Sequence, residues 1–175
     1  MDITFVAPDL RRLDELRADA LVLPFFESER PLRGAASLID WRLRGQFSKL
    51  RHRGRLTGAW LERVLVPGRP LTSFDKIFLL GLGARDEMSV ERAEIASHAM
   101  FALLDACLAR SAALVLAGRS EGSLDAETAL EAFLRAASGA HEQDQIIVIE
   151  ADDEHRALTL SLERERRKAR ASSSA

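Results

Sequence analysis

Residues 77–87 read IFLLGLGARDE, an apolar run that ends in Gly81-Leu82-Gly83. The run predicts a buried strand, and the glycines predict that the chain leaves this strand sharply. Ser89 is a good N-cap for a following helix. That helix has apolar residues at helical spacing on one predicted face: Ile95, Ala99, Ala102, Leu103 and Ala106. With a further apolar run at 113–117 (ALVLA), the strand–helix–strand order predicts a right-handed crossover in a parallel sheet.

The same alternation continues outward along the chain. Short apolar or β-branched runs predict four more strands, at 3–7, 20–26, 61–66 and 145–149. Pro24 lies inside the second run, and we expect that strand to end or bulge there because proline cannot donate to a ladder. Helical patterns occupy three further segments: 34–50 with a break near Gly45, a segment capped by Ser123 or Asp125, and 152–170.

These elements predict an α/β fold with a mixed, mostly parallel six-stranded sheet between helices. No linker or repeat divides the chain, so residues 1–170 are expected to form a single domain. The ASSSA segment at 171–175 is expected to be a disordered tail.

Composition narrows the class of protein. The chain has 175 residues and a formal net charge of −2, so no global field would attract nucleic acid or an anionic membrane. Cys107 is the single cysteine, which excludes an internal disulfide and fits a reducing compartment. There is no secretion signal and no apolar run near the roughly 20 residues of a membrane span. We expect a cytoplasmic protein.

Five short segments follow one another in an order typical of one family. They are a DALVL strand, an L-R-G-A-A-S-L-I-D helix with a later G-x-F element, a VLVP strand and an IFLLGLG strand, at residues 19–23, 32–40, 45–47, 64–67 and 77–83. Together they resemble the N-terminal domain of leucyl aminopeptidases. The similarity extends over about residues 19–117 and continues more weakly through the last strand and helix.

The resemblance implies a macro-domain-like, three-layer fold and a non-catalytic role. In the aminopeptidases this domain packs against a metallopeptidase domain and helps to build or regulate a hexamer. The two-metal site and the NTDAEGRL signature of that second domain are not in this sequence. A stand-alone relative is therefore expected to have no aminopeptidase activity and to act as a homo-oligomer or with a protein partner, which could be a separate peptidase chain.

The rival prediction is a small-molecule module that binds a nucleotide or an ADP-ribose-like ligand at the loops after the strands. Its candidate ligand-binding residues are Gly34, Gly81, Gly83, Gly118, Arg119, Ser120 and Gly122. Against a phosphate cradle at the first loop, Asp86 takes the third position of the Gly-x-Gly-x-x-Gly pattern and Glu87 follows it. The simpler interpretation is that Gly81 and Gly83 only allow the chain to turn sharply at the end of the strand.

A serine hydrolase is a remote alternative. Gly118 to Gly122 (GRSEG) matches the Gly-x-Ser-x-Gly elbow, with His141 and His155 later in the chain. However, no oxyanion loop precedes it, and the better helix caps lie beyond Ser120. The four histidines have no metal-ligand spacing, so we predict no metal site, no cofactor and no catalytic residue.

Two basic runs, at 42–55 and 164–170, are interpreted as solvated faces, because no nucleic-acid reader motif accompanies them. Neither nucleic acid nor a membrane is expected as a partner. Trp41 and Trp60 are expected to be buried in the core or in an interface.

Overall fold

The computed structural model describes residues 1–139 and 141–173, which contain a six-stranded sheet. Its strands are β1 (Asp2–Val6), β2 (Ala20–Phe25), β3 (Arg63–Pro67), β4 (Lys76–Gly81), β5 (Ser111–Leu114) and β6 (Gln145–Ile149). They lie in the order β1-β6-β5-β2-β4-β3. All neighbours are parallel except β3 and β4, which are antiparallel. The predicted α/β fold with a mixed, mostly parallel sheet is confirmed.

Helices cover both faces of this sheet. They are α1 (Leu10–Glu15), α2 (Gly34–Arg42), α3 (Gln46–His52), α4 (Val90–Ala106), α5 (Ala126–Ala136) and α6 (His155–Ser173). One buried cluster holds residues of α4, α5 and α6, and the other holds residues of α1, α2 and α3. The result is three layers. No helix in the described ranges is both long and apolar enough to cross a membrane.

Strand β2 is the centre of the structure. Every residue of this strand is buried, because β4 and β5 flank its edges and a helical layer covers each face. Its side chains alternate between the two clusters, with Val22 in one and Leu21 and Leu23 in the other. This explains the continuous apolar run, which is typical of a strand buried on both faces.

The prediction that β2 ends or bulges at Pro24 is wrong. Pairing with β4 runs without interruption to Phe25, with Pro24 opposite Leu80. Val22 accepts a hydrogen bond from Val115 on the β5 side, and Phe25 accepts one from Leu82 on the β4 side. By alternation, Pro24 directs its missing N–H toward β5, whose pairing with β2 ends at Leu114. The proline therefore costs the ladder no hydrogen bond.

The apolar face predicted for α4 coincides only in part with the side that packs on the sheet. The residues that point inward include Ala93, Ala96, Met100, Phe101 and Leu104. Ile95 is 42% exposed, Ala102 and Ala106 are exposed, and of the predicted face only Ala99 is buried. Apolar residues surround more than one side of this helix, so spacing alone did not identify the side that packs on the sheet.

Helix boundaries agree with the sequence pattern where a cap is present. Ser89 accepts from the Arg92 N–H at 3.2 Å and Asp125 accepts from the Thr128 N–H at 2.8 Å. Gly45, in the left-handed region, separates α2 from α3 as expected. Helix α6 begins at His155 and runs to Ser173, past the expected end at residue 170. Residues 174 and 175 of the predicted tail lie outside the described ranges.

Gly81 ends β4 against the chain segment that leads into β3. Its N–H donates to the Glu62 carbonyl at 2.8 Å, and its carbonyl accepts from the Leu61 N–H at 2.9 Å. A Cβ at this position would lie 2.0 Å from the Ala59 carbonyl oxygen. Glycine is required here by the close approach of two backbones, which is the physical reason for the first glycine of the GLG pair.

Replacing Gly81 with alanine should destabilise the domain by roughly 3 kcal/mol or more, because the added methyl group meets rigid backbone. Urea denaturation measures this loss. Gly54→Ala is the matched control, since Gly54 has φ +67° and open space around its Cβ position. The control should cost only about 1 kcal/mol from the left-handed backbone. Equal losses for the two variants would contradict the close-contact explanation.

Candidate functional site

A crevice opens at the carboxyl ends of β2, β5 and β6. It forms where β5 leaves the sheet after Leu114 while β2 continues to Phe25. Its volume is about 230 Å³, and its lining includes Pro24, Gly34, Arg119, Ser120, Glu121 and Glu150. Such crevices at the strand ends of open α/β sheets are the usual place for a ligand.

The structure brings together only part of the predicted ligand-binding set. Gly34, Arg119 and Ser120 line the crevice, and Gly118 and Gly122 lie in the same loop as the last two. Gly81 and Gly83 do not line it. Gly83 instead donates its N–H to the Gly58 carbonyl at 2.8 Å, so both of these glycines hold the segment before β3. Ligand binding by the five residues at the crevice stays a prediction.

Arg119 is engaged by acidic side chains. Its Nε and Nη2 donate to the Glu150 carboxylate at 2.6 and 3.0 Å, and its Nη1 donates to the Leu124 carbonyl at 2.8 Å. Glu154 lies 3.5 Å from Nη2. The hydrogen bonds to Glu150 raise the pKa of the Arg119 guanidinium. A phosphate would have to displace a two-pronged carboxylate to reach this arginine.

Glu121 connects the two loops that border the crevice. The backbone of Glu121 is left-handed, with φ +58°. Its carboxylate points toward the loop at residues 27–36. There it accepts from Ser28 Oγ at 3.2 Å and pairs with Arg33 Nε at 3.6 Å. The Glu121 carbonyl also accepts from the Arg85 guanidinium. The side chain of Glu121 is only 10% exposed, so it occupies space between the loops.

Glu29 makes a second bridge between the same loops. This residue is 1% exposed, and its Oε1 accepts from the Phe26 N–H at 3.0 Å and from the Ser120 hydroxyl. Burial raises the pKa of the Glu29 carboxyl above its ordinary value of 4.5. The two bridges fix the loop at 118–122 against the loop at 27–36.

The carboxylates of Glu29, Glu121 and Glu150 were missed in the sequence. Glu150 directly follows the last strand, which is the one signal that places an acid at this edge of the sheet. Glu121 lies inside the GRSEG segment, whose glycines and serine favour a phosphate-binding interpretation. Glu121 and Glu150 line the crevice and pair with Arg33 and Arg119, so a diphosphate would have to compete with these carboxylates for the two arginines.

The serine elbow does not assemble a catalytic triad among the described residues. Ser120 donates to Glu29, whereas His141 contacts Asp105 and the Ala136 carbonyl. His155 contacts the Glu150 carbonyl at 2.7 Å. A nucleophilic serine needs an adjacent base, and neither of these histidines is its hydrogen-bond partner. Within residues 1–139 and 141–173, no group of three potential ligands could hold a metal ion.

A second candidate site is the exposed area around Trp41, which we call the Trp41 surface and which comprises Trp41, Arg42, Arg44 and Leu71. Trp41 is 67% exposed and Leu71 is 39% exposed, so Trp41 is not buried in the core, and its burial in an interface stays a prediction. These residues share one shallow depression at the end of α2. The Arg42 guanidinium lies 5.2 Å from the Trp41 ring centre and also donates to Asp14. Exposed tryptophan beside arginine is typical of binding hot spots.

The sequence matches one described family over most of its length. The profile for the N-terminal domain of the cytosol aminopeptidase family matches residues 22–146, which is more than half of the chain. The chain belongs to this family. A comparison with curated proteins finds no match.

Solved structures share the fold at low sequence identity. A mutant of tomato leucine aminopeptidase is 16% identical with a TM-score of 0.63, and the match covers 92% of this chain but 35% of the tomato chain. The chain thus spans about a third of that enzyme. The Mycobacterium tuberculosis DarG macrodomain is 18% identical (TM-score 0.65; 86% and 99% covered). A mutant of the Oceanobacillus iheyensis macrodomain is 10% identical (TM-score 0.72; 94% and 88% covered). The predicted macro-domain-like fold is confirmed.

Replacing Glu29 with glutamine should change the pH dependence of stability. A carboxyl whose pKa is raised by folding binds protons more tightly in the native state, so stability falls as pH rises above about 4.5. The amide oxygen of the introduced glutamine can still accept from Phe26 and Ser120. Chemical denaturation between pH 4.5 and neutrality should therefore show a flatter profile and a more stable variant at neutral pH.

Glu29→Ala is the control for this measurement, because it removes the titrating group and both hydrogen bonds. It should also flatten the profile but should lower stability across the whole range. A wild-type stability that is lower at pH 4.5 than at neutrality, with no change of slope in Glu29→Gln, would contradict the assignment.

Proposed function

We propose that this chain is a non-catalytic, macro-domain-like module that acts by associating with another protein chain. The observation that carries the proposal is the Trp41 surface, where a large aromatic side chain remains 67% exposed in a domain that buries or half-buries its other aromatic side chains. Monomeric proteins rarely expose such residues in groups, and exposed apolar patches bordered by charge mark protein interfaces.

Family membership supports the same proposal. The matched family is an N-terminal domain of aminopeptidases, and this chain spans only part of the tomato enzyme. A metallopeptidase catalytic domain, on the same polypeptide or on a separate one, is the first partner to test. The basic rim formed by Arg42 and Arg44 favours a partner surface with carboxylates around an apolar pocket.

A second candidate function is binding of a nucleotide or an ADP-ribose-like ligand in the crevice. It is favoured by the position of the crevice and by Gly34 and Arg119 in its lining. It is opposed by the engagement of Arg119 with Glu150 and of Arg33 with Glu121, which leaves neither lining arginine free for a phosphate. Association therefore remains the leading proposal.

Calorimetric titration with ADP-ribose should give no heat of binding above dilution for the wild-type protein. The reason is that Glu121 and Glu150 carry negative charge and fill the space in the crevice that a diphosphate would need. ADP and adenosine serve as controls that remove parts of the anionic ligand. Saturable binding of ADP-ribose by the wild-type protein would overturn the preference for association.

Trp41→Ala should weaken binding to a cytosol aminopeptidase catalytic domain by tenfold or more, about 1.4 kcal/mol, as expected of a hot-spot tryptophan. The fluorescence of Trp41 itself gives a direct readout in a Trp60→Phe background, where burial should shift the Trp41 emission to shorter wavelength. Leu160→Ala, at a site on α6 with an exposed leucine, is the control and should bind like wild type. Unchanged affinity of Trp41→Ala would remove the Trp41 surface from the proposal.

A further inference from the structure

Strand β3 forms one edge of the sheet and, in the described part of the chain, pairs only with β4. The Glu62 carbonyl accepts from the Gly81 N–H, and the Gly68 N–H donates to the Asp75 carbonyl. The even-numbered residues in and next to β3 therefore direct their backbone groups toward β4. Because backbone groups alternate along a strand, Arg63, Leu65 and Pro67 direct theirs away from the sheet. This outer edge thus has N–H donors at Arg63 and Leu65 and none at Pro67.

We propose that β3 pairs with β3 of a second copy of this chain, antiparallel and about a two-fold axis at Leu65. In that register the two Leu65 residues exchange a pair of backbone hydrogen bonds. The Arg63 N–H of each copy then donates to the Pro67 carbonyl of the other. Every outward donor of the strand is used, and the missing donor of Pro67 falls at the end of the pairing, where it costs least.

Self-pairing centred on either of the other two outward residues is less favourable. A two-fold axis at Arg63 would place two like charges directly opposite each other, which destabilises a strand pair. An axis at Pro67 would put two residues without N–H groups at the centre. Leu65 is the one outward residue of β3 that has a donor and carries no charge.

The side chain of Leu65 extends the proposed interface onto one face of the sheet. It is 54% exposed and lies in register with Phe78, which belongs to the cluster covered by α4, α5 and α6. An exposed apolar residue on a free edge strand is the arrangement that soluble proteins avoid unless the edge is covered.

Helix α4 presents apolar residues on the flank nearest to this edge. Its other flank contacts α5, through Glu94 with Arg135 and Phe101 with Phe133. The opposite flank faces β3, because the Arg92 guanidinium lies 4.3 Å from the ring centre of Trp60, just before that strand. Ile95, Ala102 and Ala106 lie on this flank at helical spacing from Arg92 and are exposed, whereas Ala99 and Leu103 on the same flank are buried and half-buried against the core.

This flank supplies the apolar area that strand pairing alone lacks. A stable interface buries on the order of 1,200 Å² or more in total, which four backbone hydrogen bonds between short strands cannot provide. Pairing about Leu65 brings the α4 flanks of both copies to the same side of the extended sheet. The exposed residues of this flank, Ile95, Ala102 and Ala106, would then be covered by the second copy.

The β3 edge is distinct from the Trp41 surface, because Leu65 lies on the α4–α6 side of the sheet whereas Trp41 lies on α2 in the opposite helical layer. The two proposals can therefore fail separately. Self-pairing at β3 should not depend on Trp41, and binding of another protein at Trp41 should not depend on Leu65.

Disulfide cross-linking tests the two-fold axis. In a Cys107→Ser background, Leu65→Cys places two thiols across a hydrogen-bonded antiparallel pair, whose Cα atoms are about 5.5 Å apart and within disulfide range. Mild oxidation should give a covalent dimer. Leu160→Cys, with the same 54% exposure on α6, should give no more than random cross-linking. Equal cross-linking of the two variants would overturn the proposed axis.

Sedimentation velocity over a wide range of concentrations tests the edge itself. Leu65→Pro removes only the outward N–H and leaves the bonds to β4 intact, so it should shift the protein to monomer with an unchanged circular dichroism spectrum. Leu65→Ala keeps the donor and should retain more dimer than Leu65→Pro. A wild-type protein that stays monomeric at every concentration would overturn the proposal, as would a dimer that Leu65→Pro leaves intact. Dimer loss in Trp41→Ala but not in Leu65→Pro would transfer self-association to the Trp41 surface.

Discussion

The full burial of β2 is the constraint on which the rest of the structure depends. Both faces of this strand are covered by helices and both edges are paired, at least as far as Val22. Beyond Val22 the β5 side becomes free, and Pro24 is tolerated there because it has no donor to leave unpaired. That divergence creates the crevice. The central strand therefore determines both the stability of the core and the position of the candidate site.

The crevice lies where a ligand usually binds in such folds, but side chains of the protein itself occupy much of it. Glu29 and Glu121 tie its bordering loops together, and Glu150 engages the arginine that a phosphate would seek. A fold that places loops at the carboxyl ends of parallel strands supports many functions, so the chemistry of those loops must decide. Here the arginines that line the crevice are already paired with its carboxylates, which directs attention to the exposed apolar residues of the surface.

Much of the fold could be predicted from the sequence, since β6 was located residue for residue and Ser89 and Asp125 gave correct helix starts. The glycine pair after β4 was correctly interpreted as an exit from the strand, whereas its contact with Ala59 depends on a neighbouring segment that spacing cannot reveal. The inward face of α4 was not predictable, because Ile95 and Ala102 are as apolar as the residues that pack. In the crevice, Arg119 was identified from the sequence as a candidate ligand-binding residue. Its pairing with Glu150 joins residues that follow two different strands, so no local sequence pattern indicates it.

Backbone amide chemical-shift mapping tests the central claim most directly, that the chain acts through its exposed surfaces and not through the crevice. Spectra would be recorded at increasing protein concentration and then with excess ADP-ribose. The account predicts concentration-dependent shifts around residues 63–67 and along the outer flank of α4, and no shifts at residues 118–122 on addition of ADP-ribose. Saturable shifts at 118–122 with ADP-ribose, together with a β3 edge that does not respond to concentration, would contradict it.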